Sequence, residues 1–322
     1  MQFLRAFLMM CEVRRLLLLV LIAVSFVAFG SSQELSLPEP GVRGLVDQMV
    51  VTEEVVRGSS ASAQGEENRR QVFEFDDGRL VRQRNFVPTD QLVWESTFEY
   101  DSDGNVVRWT AWDEEGREKW RYEYSYGPED RLEREVVRDG AGRIEEVLVY
   151  DYTDDDLAEE TRYGPANSVR WRKTYSHDEE DRLRTWSVFY PDGTRLKQVE
   201  ERYDARGRLV REVQRDGIGT VSLEISYEYG LWSTPRSVSV FDGDGSLVRQ
   251  EERRLDAGGN VLEEHVSRGD REEGSEVARE YDYDGRGNWI RKRTLHFELV
   301  DGRRTVTREK VTTRKINYAG DA

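Results

Sequence analysis

The sequence predicts an all-β fold in which tandem antiparallel hairpins of about 26 residues form one long, twisted and coiled sheet of about 16 strands. Three observations predict it. Turn-forming residues recur at a fixed step, a second set of them falls between the first, and apolar and polar residues alternate between the turns. A fixed period of this length is typical of repeat proteins, in which each unit buries its apolar side against its neighbours.

Two interleaved series of turn residues set the period. Within each series the steps are 25 or 26 residues, except for one step of 52 and a last step of 28. The first series is Gly78, Gly104, Asp130, Asp155, Asp181, Gly207, Gly259 and Gly287. The second series is Asp90, Gly116, Gly142, Asn167, Gly193, Gly219 and Gly245. Because the two series alternate, each unit contains two turns and two short segments, which predicts a tandem hairpin.

The segments and turns have the chemistry that hairpins need. In Glu118–Tyr126, aromatic residues occupy every second position and charged residues fill most of the others, which is typical of a strand. In turns such as Tyr100–Asn105 (YDSDGN), the Asp side chain can accept hydrogen bonds from amides two residues on, and the Gly tolerates a positive φ. Asp or Asn replaces that Gly at positions 130, 155, 167 and 181, since these residues tolerate the conformation next best.

Residues 1–30 predict a secretory signal peptide. Arg14 and Arg15 precede the apolar run Leu16–Phe29, and Ala28–Gly30 provides a small-x-small cleavage site. The run has 14 residues, fewer than the roughly 20 of a transmembrane helix, and an uncleaved anchor is the alternative. We therefore expect an exported protein, periplasmic or at the cell surface or secreted, that is not an integral membrane protein after cleavage.

Residues 31–71 are expected to form a linker and a segment that covers the first edge of the sheet. Ser59–Asn68 has the composition of a flexible linker. Leu45–Val56 is apolar enough for a short helix or an extra strand, and the sequence leaves that choice open. The repeat domain is expected over residues 72–318 with a tail at 319–322, and the basic segment Arg303–Lys315 is expected to blunt the last edge.

The composition excludes several classes of function. A net charge of −16 disfavours nucleic acid as a partner, and the aromatic content of 11% argues against disorder. The single cysteine, Cys11, precedes the apolar run, so the mature chain has no thiol for catalysis or for binding zinc. No catalytic motif, metal site or cofactor is predicted; the acidic turn at Asp101 and Asp103 lacks the bidentate Glu of a calcium loop.

The turn motif resembles the YD repeats of Rhs-type proteins. The motif Tyr-Asp-x-x-Gly-(Asn/Arg) occurs at Tyr100–Asn105, Tyr203–Arg208 and Tyr283–Asn288, and Tyr190–Thr194 is similar to the MORN-like variant. The resemblance covers roughly residues 72–318. It implies long antiparallel sheets in a protein of the bacterial envelope, which in that family form a shell around a toxin or a carbohydrate-contacting surface. No toxin domain follows the repeats here.

Stacking the units aligns tyrosines in columns that are the candidate ligand surface, although such columns also form protein cores. His177 occupies a tyrosine position in one column, which is typical of a packing residue. The candidate ligand-binding residues are Tyr124, Tyr126, Tyr150, Tyr152, Tyr175, Tyr203, Tyr227 and Tyr229.

The sequence therefore favours a non-catalytic binding or scaffold module that contacts an envelope glycan or a protein partner. Two alternatives remain: a glycan-active hydrolase that uses paired carboxylates, and an accessory shell protein for a secreted effector. An outer-membrane barrel is rejected at this stage because a strand such as Leu132–Arg138 (LEREVVR) carries charge on both faces.

Overall fold

A computed structural model describes residues 42–58, 69–154, 156–180, 182–269, 271–300 and 303–320. The predicted signal peptide, residues 1–30, and the predicted linker Ser59–Asn68 lie outside the described residues. Among the residues described, none belongs to a helix long and apolar enough to cross a membrane.

The described chain forms twenty β-strands joined by short turns. Two of the turns, at Pro128–Asp130 and Pro165–Asn167, are single 3-10 turns. The strands are β1 (Val46–Gly58), β2 (Arg69–Asp76), β3 (Arg79–Phe86), β4 (Leu92–Tyr100), β5 (Val106–Asp113), β6 (Glu118–Tyr126), β7 (Leu132–Asp139), β8 (Ile144–Thr153), β9 (Asp156–Tyr163), β10 (Val169–Asp178), β11 (Leu183–Phe189), β12 (Arg195–Tyr203), β13 (Leu209–Asp216), β14 (Val221–Tyr229), β15 (Pro235–Asp242), β16 (Leu247–Leu255), β17 (Val261–Arg268), β18 (Arg271–Tyr283), β19 (Trp289–Val300) and β20 (Arg303–Tyr318).

The strands form a closed antiparallel barrel with the simplest possible order. Each strand pairs with the next along the chain. The first and last strands also pair with each other: β1 lies antiparallel to β20, from Val46 opposite Tyr318 to Gly58 opposite Arg308. Every strand therefore has two neighbours, and the sheet has no free edge.

The prediction of an open, coiled sheet of about 16 strands is wrong. The two turn series mark fifteen reversals, whereas the reversal between β14 and β15 and the one beside Gly269 fall outside both series. Leu45–Val56, for which the sequence left a helix or an extra strand open, lies largely in strand β1, and Arg303–Lys315 lies in strand β20. Each of these segments satisfies the unpaired backbone groups of the other.

The predicted turn chemistry is confirmed. Asp101 Oδ1 accepts hydrogen bonds from the amides of Asp103 and Asn105, at 3.0 and 2.8 Å. Gly104, with φ of +97°, closes the turn by donating its amide to the Asp101 carbonyl. The same pair of Asp-to-amide bonds recurs at Asp113, Asp139, Asp204, Asp216, Asp242, Asp256 and Asp284. Asp155 and Asp181 lie outside the described residues.

The two faces of the barrel wall differ in how deeply their charges are enclosed. On one face, the side chains of Arg254 and Glu263 pair while 60% and 44% exposed. On the other, Arg253 and Glu264 pair while only 18% and 19% exposed. Because the inside of a closed wall is the more enclosed side, we assign the second face, which also carries the tyrosine columns, to the barrel interior. It is called the enclosed face below.

Closure predicts that removing β1 exposes two strand edges. We expect a chain lacking residues 31–70 to self-associate, because β2 and β20 would each present unpaired N–H and C=O groups. Gel filtration with light scattering measures the change. A chain lacking only residues 31–43 keeps β1 and is the matched control; a monomeric chain after the longer deletion would contradict the prediction.

Candidate binding surface on the enclosed face

The first tyrosine column ties successive turns together. The phenol of Tyr100 donates to the Leu80 carbonyl at 2.7 Å, and Tyr126 donates to the Val106 carbonyl at 2.8 Å. The same bond, always to the residue twenty positions earlier, joins Tyr152 to Leu132 and Tyr229 to Leu209. Burial raises the pKa of Tyr126 to about 12. These hydroxyls therefore hold one hairpin on the next, and only the rings remain for a ligand.

Tyr203, a later member of this column, departs from the pattern. Its phenol donates to Glu201 Oε2 at 2.7 Å instead of to a backbone carbonyl. Glu201 also accepts from Trp186 Nε1 at 2.9 Å and pairs with Arg184 at 2.8 Å. Tyr203 thus belongs to a compact polar cluster at strands β11 and β12.

The second column forms the centre of the candidate surface. Tyr124 lies directly opposite Glu135 across β6 and β7, and Tyr150 lies opposite Glu160 across β8 and β9. Tyr175, on β10, donates its hydroxyl to Glu160 Oε2 at 3.1 Å. These five residues, Tyr124, Glu135, Tyr150, Glu160 and Tyr175, are called the inner row. All five are half-buried, so the row keeps some contact with solvent.

Burial dominates the electrostatics of the inner row. It raises the pKa of Glu135 to about 7, helped by the charge of Glu160 and opposed by Arg162. Burial also raises the pKa of Glu160, while Lys173 and the Tyr175 hydroxyl oppose it. Glu135 makes no hydrogen bond or ion pair within the described part of the chain. One carboxyl of the row is therefore half-ionised near neutral pH and has no ion-pair partner among the described residues, although the charge of Arg162 still acts on it.

The polar groups at the β10–β12 end are already paired with one another. The Lys173 ammonium lies 4.6 Å from the ring centre of Tyr175 and 4.1 Å from that of Trp186. Lys197 lies 4.7 Å from the Trp186 ring on the neighbouring strand. These cation–π contacts occupy the ring of Trp186. The polar and aromatic groups available to a ligand therefore lie mainly at the β6–β9 end.

The structure divides the candidate tyrosines into separate groups. It brings Tyr124, Tyr150 and Tyr175 together in the inner row, whereas Tyr227 lies on β14 beyond Trp186 and beside Glu212. Burial raises the pKa of Tyr227 to about 12. The remaining candidates, Tyr126, Tyr152, Tyr203 and Tyr229, have the hydroxyl partners given above.

Sequence analysis missed the two carboxylates of the row and the aromatic core beside it. Glu135 and Glu160 were hidden by the abundance of acidic residues, although strand register places each opposite a column tyrosine. Trp109 stacks on Tyr122 with ring centres 4.5 Å apart and donates Nε1 to Ser96 Oγ at 2.8 Å. With 9% of Trp109 and 5% of Tyr122 exposed, this pair packs the wall and leaves no surface for a ligand.

Comparisons with known proteins provide no family for the chain. No family model and no curated protein matches it. Among solved structures, a porin-like protein from Bacteroides uniformis ATCC 8492 is 11% identical with a TM-score of 0.37, over 84% of this chain and 98% of that one. A porin-like protein from Bacteroides vulgatus ATCC 8482 is 12% identical with a TM-score of 0.27, over 72% and 96%. A TcdB2-TccC3-Cdc42 structure is 12% identical with a TM-score of 0.24, over 78% of this chain but 17% of that one.

All three TM-scores are below 0.5. Within the described ranges, no group of three or more His, Cys, Asp or Glu side chains is placed to hold a metal ion.

The raised pKa of Glu135 makes barrel stability depend on pH. At pH values below 4.5, the carboxyl is protonated in both folded and unfolded states, and above about 7 the folded state must hold it ionised with no ion-pair partner among the described residues. Stability is thus full below 4.5 and falls as the pH rises to about 7, by about 3 kcal/mol. We expect Glu135→Gln to stabilise the barrel in urea denaturation at pH 8 and to have little effect at pH 4.5.

Glu264→Gln is the matched control. Burial opposes ionisation of Glu264, but hydrogen bonds from Arg279 and Arg253 outweigh it and lower its pKa. That variant should lose stability at pH 8, the opposite sign. An equal effect of Glu135→Gln at both pH values would contradict the assignment.

Proposed function

We propose that this barrel is an exported, non-catalytic binding protein of the bacterial envelope whose inner row binds a glycan. The observation that carries the proposal is the alternation of three tyrosine rings with two carboxylates along one enclosed wall. Aromatic rings offer flat apolar surfaces to the C–H faces of sugar rings, and carboxylates accept hydrogen bonds from sugar hydroxyls. A half-buried wall of this kind has the composition of a ligand site.

The location in the envelope rests on the predicted signal peptide, the cysteine-free mature chain and the resemblance to YD repeats. The charges of the exposed face support a barrel surrounded by water instead of lipid. Arg108 pairs with Glu99 and Arg211 pairs with Glu224 on that face, each at 2.8 Å. Placing an Arg on a lipid-facing barrel wall costs about 2–4 kcal/mol at the bilayer midplane.

Removing a ring of the inner row tests the proposal. We expect wild-type protein to bind oligosaccharides of an envelope-type glycan in isothermal titration calorimetry, and Tyr150→Ala to weaken binding at least about tenfold, equivalent to about 1.4 kcal/mol. Tyr150→Phe should retain most of the affinity because it keeps the ring. Tyr190→Ala, at a tyrosine that is 48% exposed beside a turn, is the control. Equal binding by Tyr150→Ala and wild type would contradict the proposal.

A second candidate function is glycoside hydrolysis, favoured by one observation. Glu135 has a pKa of about 7 and is coupled to the neighbouring Glu160, as expected of a proton donor beside a second carboxylate. In this case oligosaccharides incubated with wild type would be cleaved, and both Glu135→Gln and Glu160→Gln would abolish product formation, measured by mass spectrometry. Intact oligosaccharide after incubation with wild type would eliminate hydrolysis and leave binding.

A further inference from the structure

The glutamates of the enclosed face are generally neutralised by a nearby cation. Arg170 pairs with Glu146 at 2.6 Å, Arg184 with Glu201 at 2.8 Å, and Lys310 with Glu53 at 2.7 Å. Glu251 and Glu264 pair with arginines in the same way. This pairing is what burial of charge requires, because an ionised carboxylate away from water is costly unless it is paired.

Glu135 departs from this arrangement. No side chain in the described part of the chain lies within hydrogen-bond or ion-pair distance of its carboxylate. The comparable inner-row residue Glu160 accepts a hydrogen bond from Tyr175, and Glu212, further along the wall, accepts one from Gln214. Glu135 is thus a half-buried carboxylate to which no described side chain donates a hydrogen bond, and Arg162 acts on it only from beyond ion-pair distance.

Aromatic rings lie close to this carboxylate, together with Leu148 directly opposite it on β8 and Arg162 beyond ion-pair distance. Tyr124 lies directly opposite it on β6, and Tyr122, Tyr126 and Tyr150 are close enough for its charge to raise their pKa values. Tyrosine faces attract organic cations through the ring quadrupole. A carboxylate without a partner among such rings has the chemistry that recognises an organic ammonium group.

The opposite end of the inner row has a different charge. Lys173 lies against Tyr175 and Trp186, so a second cation there would be repelled. The row extends from β6 to β10, four strand spacings or about 19 Å, which is too long for one small amine. A suitable ligand is therefore extended, mostly neutral and hydroxylated, with an amino group where it meets β7.

We propose that the inner row selects glycans that carry free amino groups, with the sugar ammonium bound by the Glu135 carboxylate between Tyr124 and Tyr150. This inference rests on the proposed glycan-binding function and narrows its ligand to amino sugars that are not N-acetylated. Binding the ammonium gives the Glu135 carboxylate a charged hydrogen-bond donor, which no described side chain provides.

Two oligomers with the same backbone and different charge provide the test. The probes are tetrasaccharides of β-1,4-linked glucosamine and of β-1,4-linked N-acetylglucosamine, titrated calorimetrically at about pH 7, where the Glu135 carboxyl is about half-ionised and an amine is still partly protonated. We expect the free-amino oligomer to bind wild type at least about tenfold more tightly. Glu135→Gln should abolish this preference, because it lowers the affinity for the free-amino oligomer more than the affinity for the acetylated one.

Glu212→Gln is the matched control, since Glu212 lies on the enclosed face and has an internal donor; it should keep the preference. Equal affinity of wild type for both oligomers, or a preference that persists in Glu135→Gln, would overturn the inference and leave glycan binding intact. Binding of neither oligomer by wild type would overturn the inference together with the proposed function. Circular dichroism of each variant checks that the barrel is folded.

Discussion

The pairing of β1 with β20 is the constraint on which the rest of this structure depends. A meander of twenty strands has two edges, and each edge is a row of backbone donors and acceptors that another chain could pair with. Joining the edges turns a long sheet into a ring and gives the wall an inside and an outside. The partial burial of the tyrosine columns follows from this pairing, because an open sheet would leave both faces to solvent.

The wall itself is built from one local device repeated along the chain. At eight of the described turns an aspartate side chain accepts two amides, as Asp101 does, and four column tyrosines, Tyr100 among them, donate to a carbonyl twenty residues earlier. Each contact is worth only about 1 kcal/mol, yet the repetition sets the register of each strand. Register in turn decides which side chains face inward, since a slip of one residue would exchange the two faces.

On the enclosed face, Glu135 departs from the regular pairing of charges. Most of its carboxylates have an arginine or lysine partner, whereas Glu135 has tyrosine rings around it. A carboxylate in this position destabilises the folded state. It also favours ligand binding, because a ligand can provide the hydrogen-bond donor that Glu135 does not have among the described residues. The raised pKa of Glu135 has the same origin, because the folded state favours the protonated carboxyl over the ionised one.

The sequence by itself determined the hairpins, the turn chemistry and the alternation of strand faces, because these depend on residues close together in the chain. It placed the reversals at Gly104 and Gly116 correctly, for instance, from the Asp and Gly spacing alone. Closure and the inner row were decided only by the tertiary structure. Val46 and Tyr318 are far apart in sequence, and the opposition of Tyr124 to Glu135 depends on register between strands. Local propensity carries no information about which distant strands pair, or about which of many glutamates has no hydrogen-bond or ion-pair partner in the described part of the chain.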